Sequence, residues 1–256
     1  MRVPTTVVLS TCVVLGAAQA ELAQDAELSI RAARDSKEFE PIRVLYTVEN
    51  KTSETLVIDL GWNREGTFSF AVTGPNGAVE KVTPSAPQTG GLSAPREVKV
   101  EPHGRFSGVV VLSEWINLAP GSYHVVVRSA AVVRRSTAGN PVVLSDGSYP
   151  FELTVSPSTS EEIRQLCERL SQQALASDYS DDAMYAARAL AKVRNGVAIQ
   201  YLDTVSRRGA WAWITIPAIA KQTGPEAKRA LESLSNSNRP DVAAIAASVL
   251  KGSGIK

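Results

Sequence analysis

Histidine and cysteine are nearly missing from this chain: two of each among 256 residues. A Ser-His-Asp or Cys-His centre needs an imidazole as its base, so such a site would have to use His103 or His124. His103 stands between Pro102 and Gly104, the setting of a turn, and His124 is out of phase with Tyr123 and Val125, on the outer face of a strand if those two point inward. Metal patterns are missing as well, with no HExxH, no CxxC and no paired histidine spacing. There is no P-loop and no dinucleotide glycine motif after a strand. Asn63, Glu65 and Asp146-Gly147-Ser148 lack the calcium-loop pattern. No catalytic, cofactor-binding or metal-binding residue can be nominated, and the chain reads as non-enzymatic.

An excess of either charge is also missing. Lys and Arg number 27 against 26 Asp and Glu, and removal of residues 1–20 takes away only Arg2, leaving 26 of each sign. A neutral chain has no global field to steer it onto nucleic acid or anionic lipid, so nucleic acid is not an expected partner. Past the first twenty residues no run is long and apolar enough to span a bilayer, which needs about 20 such residues.

What is present at the start is an export pattern. Met1 and Arg2 form a short basic region, and residues 3–20 carry no charge and hold Val7, Val8, Leu9, Val13, Val14 and Leu15. The run closes on Ala18-Gln19-Ala20, the small-x-small pattern of a signal-peptidase site. Cleavage is expected after Ala20, with an extracytoplasmic mature protein, periplasmic or secreted. Leu9-Ser10-Thr11-Cys12 resembles a lipobox, but Thr11 fits poorly where a small residue belongs, and Cys12 reads better as part of the apolar run. Cys167 then stands alone, beside Ile163, Leu166 and Leu170 on a helical face, and reads as a buried thiol.

From about Ala26 to Val155 the hydrophobic period is two. Ile42, Val44, Tyr46 and Val48 alternate with more polar neighbours, as do Leu56, Ile58 and Leu60, and Phe68, Phe70 and Val72. Further strands are expected over 98–100, 109–112, 123–127, 142–144 and 151–155. Turn chemistry separates them: Pro75-Asn76-Gly77, Pro120-Gly121 and Asp146-Gly147 preset φ or supply a positive-φ position. This spacing predicts a β-sandwich or barrel. Leu118-Ala119-Pro120-Gly121-Ser122-Tyr123, followed by Val125 and Val127, resembles the tyrosine corner of immunoglobulin-like and fibronectin-type domains. The resemblance implies an antiparallel Ig-like β-sandwich over 25–157 and carries architecture only, since the inter-sheet cysteine pair is absent.

After Ser156-Pro157-Ser158 the period becomes helical. Thr159-Ser160-Glu161-Glu162 fits a capping box, and Ile163, Leu166, Cys167, Leu170 and Ala174 form one stripe. Ser180 followed by Asp181 and Asp182 reads as a helix start rather than an ion site. The segment also repeats: Ala187, Leu190, Ala191 and Lys192 recur as Ile216, Ile219, Ala220 and Lys221, then as Ala246, Val249, Leu250 and Lys251; Ala198 and Leu202 recur as Ala227 and Leu231. A helix pair of this length must stack on neighbours to bury its apolar face. With Pro217 inside a first helix, the region is similar to short HEAT repeats, which implies an all-α stack over 158–256 with a surface for protein partners.

The segment Arg207-Arg208-Gly209-Ala210-Trp211-Ala212-Trp213 is the candidate contact patch. Residues two apart on a helix point about 200° apart, so if this segment is helical Trp211 and Trp213 cannot both face one core seam. Tryptophan and arginine are frequent anchors of protein interfaces. A second candidate, Arg134-Arg135 with loop 136–140, reads as a solvated hairpin tip. The leading expectation is an exported interaction or assembly module of the bacterial cell envelope, built from an Ig-like β-sandwich and an all-α HEAT-like repeat, with Arg207, Arg208, Trp211 and Trp213 toward a protein partner. The alternative is a secreted sandwich that inhibits a protease or binds carbohydrate, with the helices as spacer; Trp62 is the aromatic nearest a loop tip.

Overall fold

The computed structural model describes residues 26–61, 66–83, 97–135, 142–143, 147–178 and 180–253. The export segment, Cys12, Trp62, Asn63, Glu65, Asp146 and loop 136–140 lie outside them. Every strand pairing resolved in register is antiparallel, and the alternation seen in the sequence is the burial alternation of the strands. β1 (Ala26–Ala32), β3 (Arg43–Asn50) and β8 (Arg105–Val111) form one sheet in the order β1-β3-β8. A second runs β11-β10-β4-β7, from β4 (Leu56–Asp59), β7 (Glu97–Val100), β10 (Val132–Arg135) and β11 (Val142–Val143). The third runs β2-β12-β9-β5-β6, from β2 (Asp35–Lys37), β5 (Phe68–Thr73), β6 (Val79–Val82), β9 (Gly121–Ser129) and β12 (Ser148–Ser156).

The inward row of β3, Val44, Tyr46 and Val48, is buried, as are Phe68, Phe70 and Val72 of β5 and Val125 and Val127 of β9. Each such side chain contributes about 1.5–3 kcal/mol of burial. The Tyr46 ring, from the first sheet, packs tilted on Phe68 of the third with centroids 4.8 Å apart. Tyr46 stands opposite Gly108 in register, and its ring occupies the space where a Cβ on Gly108 would lie. Tyr123, the residue singled out at the candidate corner, is buried with its ring edge 3.7 Å from where a Gly74 Cβ would stand.

Asn50 ends β3 and closes the turn that follows. Its Nδ2 donates to the carbonyls of Glu54 (2.8 Å), Val100 (3.0 Å) and Glu101 (2.9 Å), and its Oδ1 accepts from the Thr52 amide (2.9 Å) and hydroxyl (2.8 Å). One buried side-chain amide therefore satisfies backbone groups that would otherwise be orphaned.

Arg134 and Arg135 end β10, which pairs with β4 from Val132↔Asp59 to Arg135↔Leu56 and, in an antiparallel hairpin, with β11 at Val132↔Val143 and Val133↔Val142. The guanidinium of Arg134 is held by both oxygens of Glu97, at 3.1 and 3.0 Å. β1, β2, β6 and β10 are strands that periodicity did not single out, and β8 begins at Arg105 rather than at 109.

The C-terminal half holds six helices among the described residues: α1 (Ser160–Leu175), α2 (Asp181–Lys192), α3 (Ala198–Arg208), α4 (Ala212–Ala220), α5 (Pro225–Ser235) and α6 (Pro240–Ser253). Thr159 and Glu162 form the expected capping box on α1. The Ser180 hydroxyl caps α2 by accepting from the Ala183 amide at 3.2 Å. Consecutive helices pack on one another, and so do α1 with α3, α3 with α5, α2 with α4 and α4 with α6. Odd and even helices therefore form two layers. α4 is apolar nearly all round and touches α2, α3, α5 and α6, as a helix buried on most sides must be. Pro217 lies inside it, leaving the Trp213 carbonyl without its intrahelical donor.

The repeat register reappears as burial: Ala187, Ile216 and Ala246 are fully buried, as are Leu190, Ile219, Ala198, Leu202 and Leu231. Gln222, after α4, donates at 2.7 Å to the Val193 carbonyl after α2, which ties successive copies at equivalent turns.

The chain divides into two compact units. One runs to Arg34 and adds Ile42–Ile116 and Gly121–Thr154; the other consists of Asp35–Pro41, Asn117–Pro120 and Val155–Lys256. Two short segments from the first half are thus counted with the helices.

Candidate functional site

The segment 207–213 is the corner between α3 and α4. α3 ends because Gly209 takes φ 92°, and the Arg239 guanidinium lies where a Cβ at 209 would project. Arg239 donates to the Arg208 carbonyl at the end of α3 and to both oxygens of Asp241, at 3.3 and 3.0 Å. Buried hydroxyls brace the same corner: Ser206 donates to Leu202 at 2.7 Å, its Oγ lies 2.7 Å from Oγ1 of Thr215, and Thr215 donates to the Trp211 carbonyl at 3.1 Å.

The two tryptophans separate. Trp211 is 7% exposed, and its indole N–H donates to the carbonyls of Ala174 (2.9 Å) and Ser177 (3.3 Å) at the end of α1. Those carbonyls have no donor inside α1, so the indole serves as a cap from another helix. Trp211, named as a candidate contact residue, is thus buried. Trp213, two positions on, is 41% exposed.

Arg207 and Arg208 also differ. Asp203, one turn earlier on α3, grips Arg207 bidentately, Nε to Oδ2 at 2.8 Å and Nη2 to Oδ1 at 3.0 Å, and Nη2 reaches the Ser233 hydroxyl of α5 at 2.9 Å. The Asp203 carboxylate holds the Arg207 pKa above its ordinary value. Arg208 is more loosely held, 3.5 Å from Asp178.

Arg207 sits at one end of a groove of about 560 Å³ between α3 and α5, with Val197, Ile199, Asp203, Glu226 and Arg229 among its walls. Glu226 and Arg229 face each other at 3.6 Å. The lining holds the Asp203–Arg207 and Glu226–Arg229 ion pairs beside an aliphatic wall, an arrangement of charged and apolar groups that can contact a ligand. Of the four candidates, the structure brings Arg207 to this groove and leaves Trp213 exposed on the next helix. Asp203, Glu226 and Arg229 were not singled out from the sequence, although the four-residue spacing of Asp203 and Arg207 is a legible helical pairing.

The remaining chemistry-bearing residues lie elsewhere. His103 is on a turn with φ 55°, and His124 is exposed on β9 with Nδ1 2.7 Å from Glu152. Cys167 is fully buried in α1, and burial pushes its thiol up to about 11. Among the described residues no three His, Cys, Asp or Glu side chains are grouped to hold a metal ion, and no helix is long and apolar enough to cross a membrane.

No protein-family model matches the chain, and no curated protein matches it. Among solved structures, a β-glucosidase from Listeria innocua in complex with isofagomine is similar at 14% identity and TM-score 0.29, covering 51% of this chain and 16% of its own. The CARDB domain of the PF1109 protein in complex with di-metal ions, from Pyrococcus furiosus, is similar at 12% identity and TM-score 0.26, covering 52% of this chain and 94% of its own. An alkylpurine DNA glycosylase from Pseudomonas fluorescens, bound to DNA containing an abasic site analogue, is similar at 14% identity and TM-score 0.26, over 50% of this chain and 30% of its own. The chain itself is a β-sheet half followed by a helical half, and a CARDB domain is among its structural neighbours.

Proposed function

We propose that this protein is an exported, non-enzymatic interaction module of a bacterial cell envelope, an Ig-like sandwich followed by a short HEAT-like stack, which holds a protein partner on the helical unit. The observation that carries the reading is the groove between α3 and α5, where Asp203 and Ser233 hold the Arg207 guanidinium in place at the rim. An anchored guanidinium loses little rotamer freedom on binding, which is what makes arginine an effective interface anchor. Trp213 adds an exposed indole on the neighbouring helix α4. The sandwich reading is supported by the Tyr46–Phe68 packing between sheets, and the HEAT-like reading by the two helix layers and the recurring buried positions. The export reading rests on the amino-acid pattern of residues 1–20.

The test is purification of a C-terminally tagged chain, exported by its own signal in its native host, with cross-linked partners identified and the mature N-terminus sequenced. One protein in stoichiometric amount, lost with Arg207→Ala and Trp213→Ala while the variants stay folded, supports the assignment. Undiminished recovery of that protein by both variants would overturn the groove, and an N-terminus at Met1 would overturn export.

A further inference from the structure

We propose that the outward face of the β1-β3-β8 sheet is a separate docking surface, for an acidic protein segment that presents an aliphatic side chain between its carboxylates. It lies outside the helical groove and does not depend on it. The alternation of β3 sends Arg43, Leu45, Thr47 and Glu49 to the side opposite the core. Register lines them up with the neighbouring strands in rows: Glu27, Glu49 and Arg105; Ser29, Thr47 and Ser107; Arg31, Leu45 and Val109. Among the described residues four large apolar side chains are exposed, and two of them, Leu45 at 41% and Val109 at 39%, are direct cross-strand partners here. Direct partners have Cβ atoms about 4.5–5.5 Å apart, so the two form one apolar spot.

The charges of this face are uneven. At the Glu27 end they are satisfied, Lys51 pairing with Glu27 and Arg105 with Glu49 at 3.1 Å. The middle row is neutral, the Thr47 and Ser107 hydroxyls lying 2.9 Å apart. At the other end Arg31 stands opposite Leu45, and Arg43 two residues before it; both are exposed, and neither meets a carboxylate among the described residues. Two uncompensated guanidinium forks beside an apolar spot complement carboxylates on either side of an aliphatic side chain. A lipid surface fits less well: recruitment to anionic membranes uses clusters of about four to eight basic residues, whereas this face has two that no carboxylate compensates among the described residues and also exposes Glu27, whose charge an anionic bilayer repels.

The experiment titrates chain 21–256 into a fluorescein-labelled peptide carrying two Glu-Leu-Glu blocks in a Gly-Ser frame, with its Lys-Leu-Lys counterpart and phosphatidylglycerol vesicles alongside. The expected result is saturable binding of the acidic peptide alone, weakened by salt. The doubly substituted Arg31→Gln, Arg43→Gln chain should lose about tenfold in affinity, the scale of a lost charge-assisted contact. Leu45→Ser should weaken it as well, and Arg207→Ala and Trp213→Ala should bind like the parent, which separates this face from the helical groove. No binding of the acidic peptide, equal binding of the lysine peptide, or affinity unchanged in Arg31→Gln, Arg43→Gln overturns the proposal. Retention on the vesicles through these arginines would make the face a lipid surface instead. All these side chains are exposed, and matching thermal transitions confirm that the substituted chains are folded.

Discussion

Asn50 shows what one side chain decides. No helix or strand pattern asks for asparagine there, yet it contacts three carbonyls and both donors of Thr52. Asn50→Ala is expected to cost roughly 3 kcal/mol, because it strands buried backbone groups rather than merely removing hydrogen bonds. Equilibrium urea unfolding measures this, and a loss below about 1 kcal/mol, the worth of a single exposed hydrogen bond, would deny the residue that role. Cys167 makes the opposite case, a group with reactive chemistry and no access. Its thiol is fully buried and raised to about 11. Labelling by a thiol reagent at pH 8 should be slower than in denaturant by roughly a thousandfold, since it waits for opening of the helical core. Rapid labelling of the native chain would place Cys167 at the surface.

At the scale of the element, the start of α1 is the best test. Glu162 accepts from the Thr159 amide at 2.8 Å and pairs with Lys37 at 3.1 Å. The Thr159 backbone hydrogen bond first, then Lys37 and the Thr159 hydroxyl, lower its pKa from 4.5 to about 2. Folding therefore favours the ionised form. That contribution is complete above pH 4.5 and is lost as the pH falls toward 2. Glu161 and Asp241 are lowered as well, by Arg164 and Arg239, so the helical unit loses stability on acidification. Glu162→Gln should flatten part of that slope, measured as the urea midpoint between pH 5 and 2; an unaltered slope would remove Glu162 from the account. Gly209 belongs to this scale too, since the α3–α4 corner needs its positive φ and the open space that Arg239 fills.

At the scale of the molecule, the helical unit includes residues 35–41 from the first half of the chain. Phe39 packs against the helical core from a left-handed conformation, φ 67°. Glu40 pairs with Arg169 at 3.3 Å, and the Ser158 hydroxyl donates to the Glu38 carbonyl at 3.2 Å. A fragment cut at 158 therefore omits part of its own unit. Phe39→Ala in the whole chain should lower the stability of α1 by roughly 2 kcal/mol, less than the 3–5 of a fully buried Phe. Amide exchange of α1 reads this directly, and protection unchanged from the parent would count 35–41 as a bystander.

Much of the architecture was readable from local pattern. Eight strands were marked by alternation or apolar clusters and turn residues, the α1 cap by Thr159 and Glu162, and the register of the helical copies by Ala187, Ile216 and Ala246. These depend on neighbours within a few residues, where backbone period alone decides which side chains share a face. β1, β2, β6 and β10 were not read: in the last three, polar or charged residues leave no run of apolar alternation, and the place of all four is set by the strands they pair with. The site was half readable: helical spacing led to the expectation that Trp211 and Trp213 diverge, and they do, with Trp211 standing just before α4. Only the tertiary structure decided which turned inward, because that depends on the carbonyls of Ala174 and Ser177 that accept from the Trp211 indole, 34 to 37 residues away in sequence. The groove at Arg207, the cross-strand row through Leu45 and the membership of Phe39 were decided in the same way, by segments distant in the chain meeting in space.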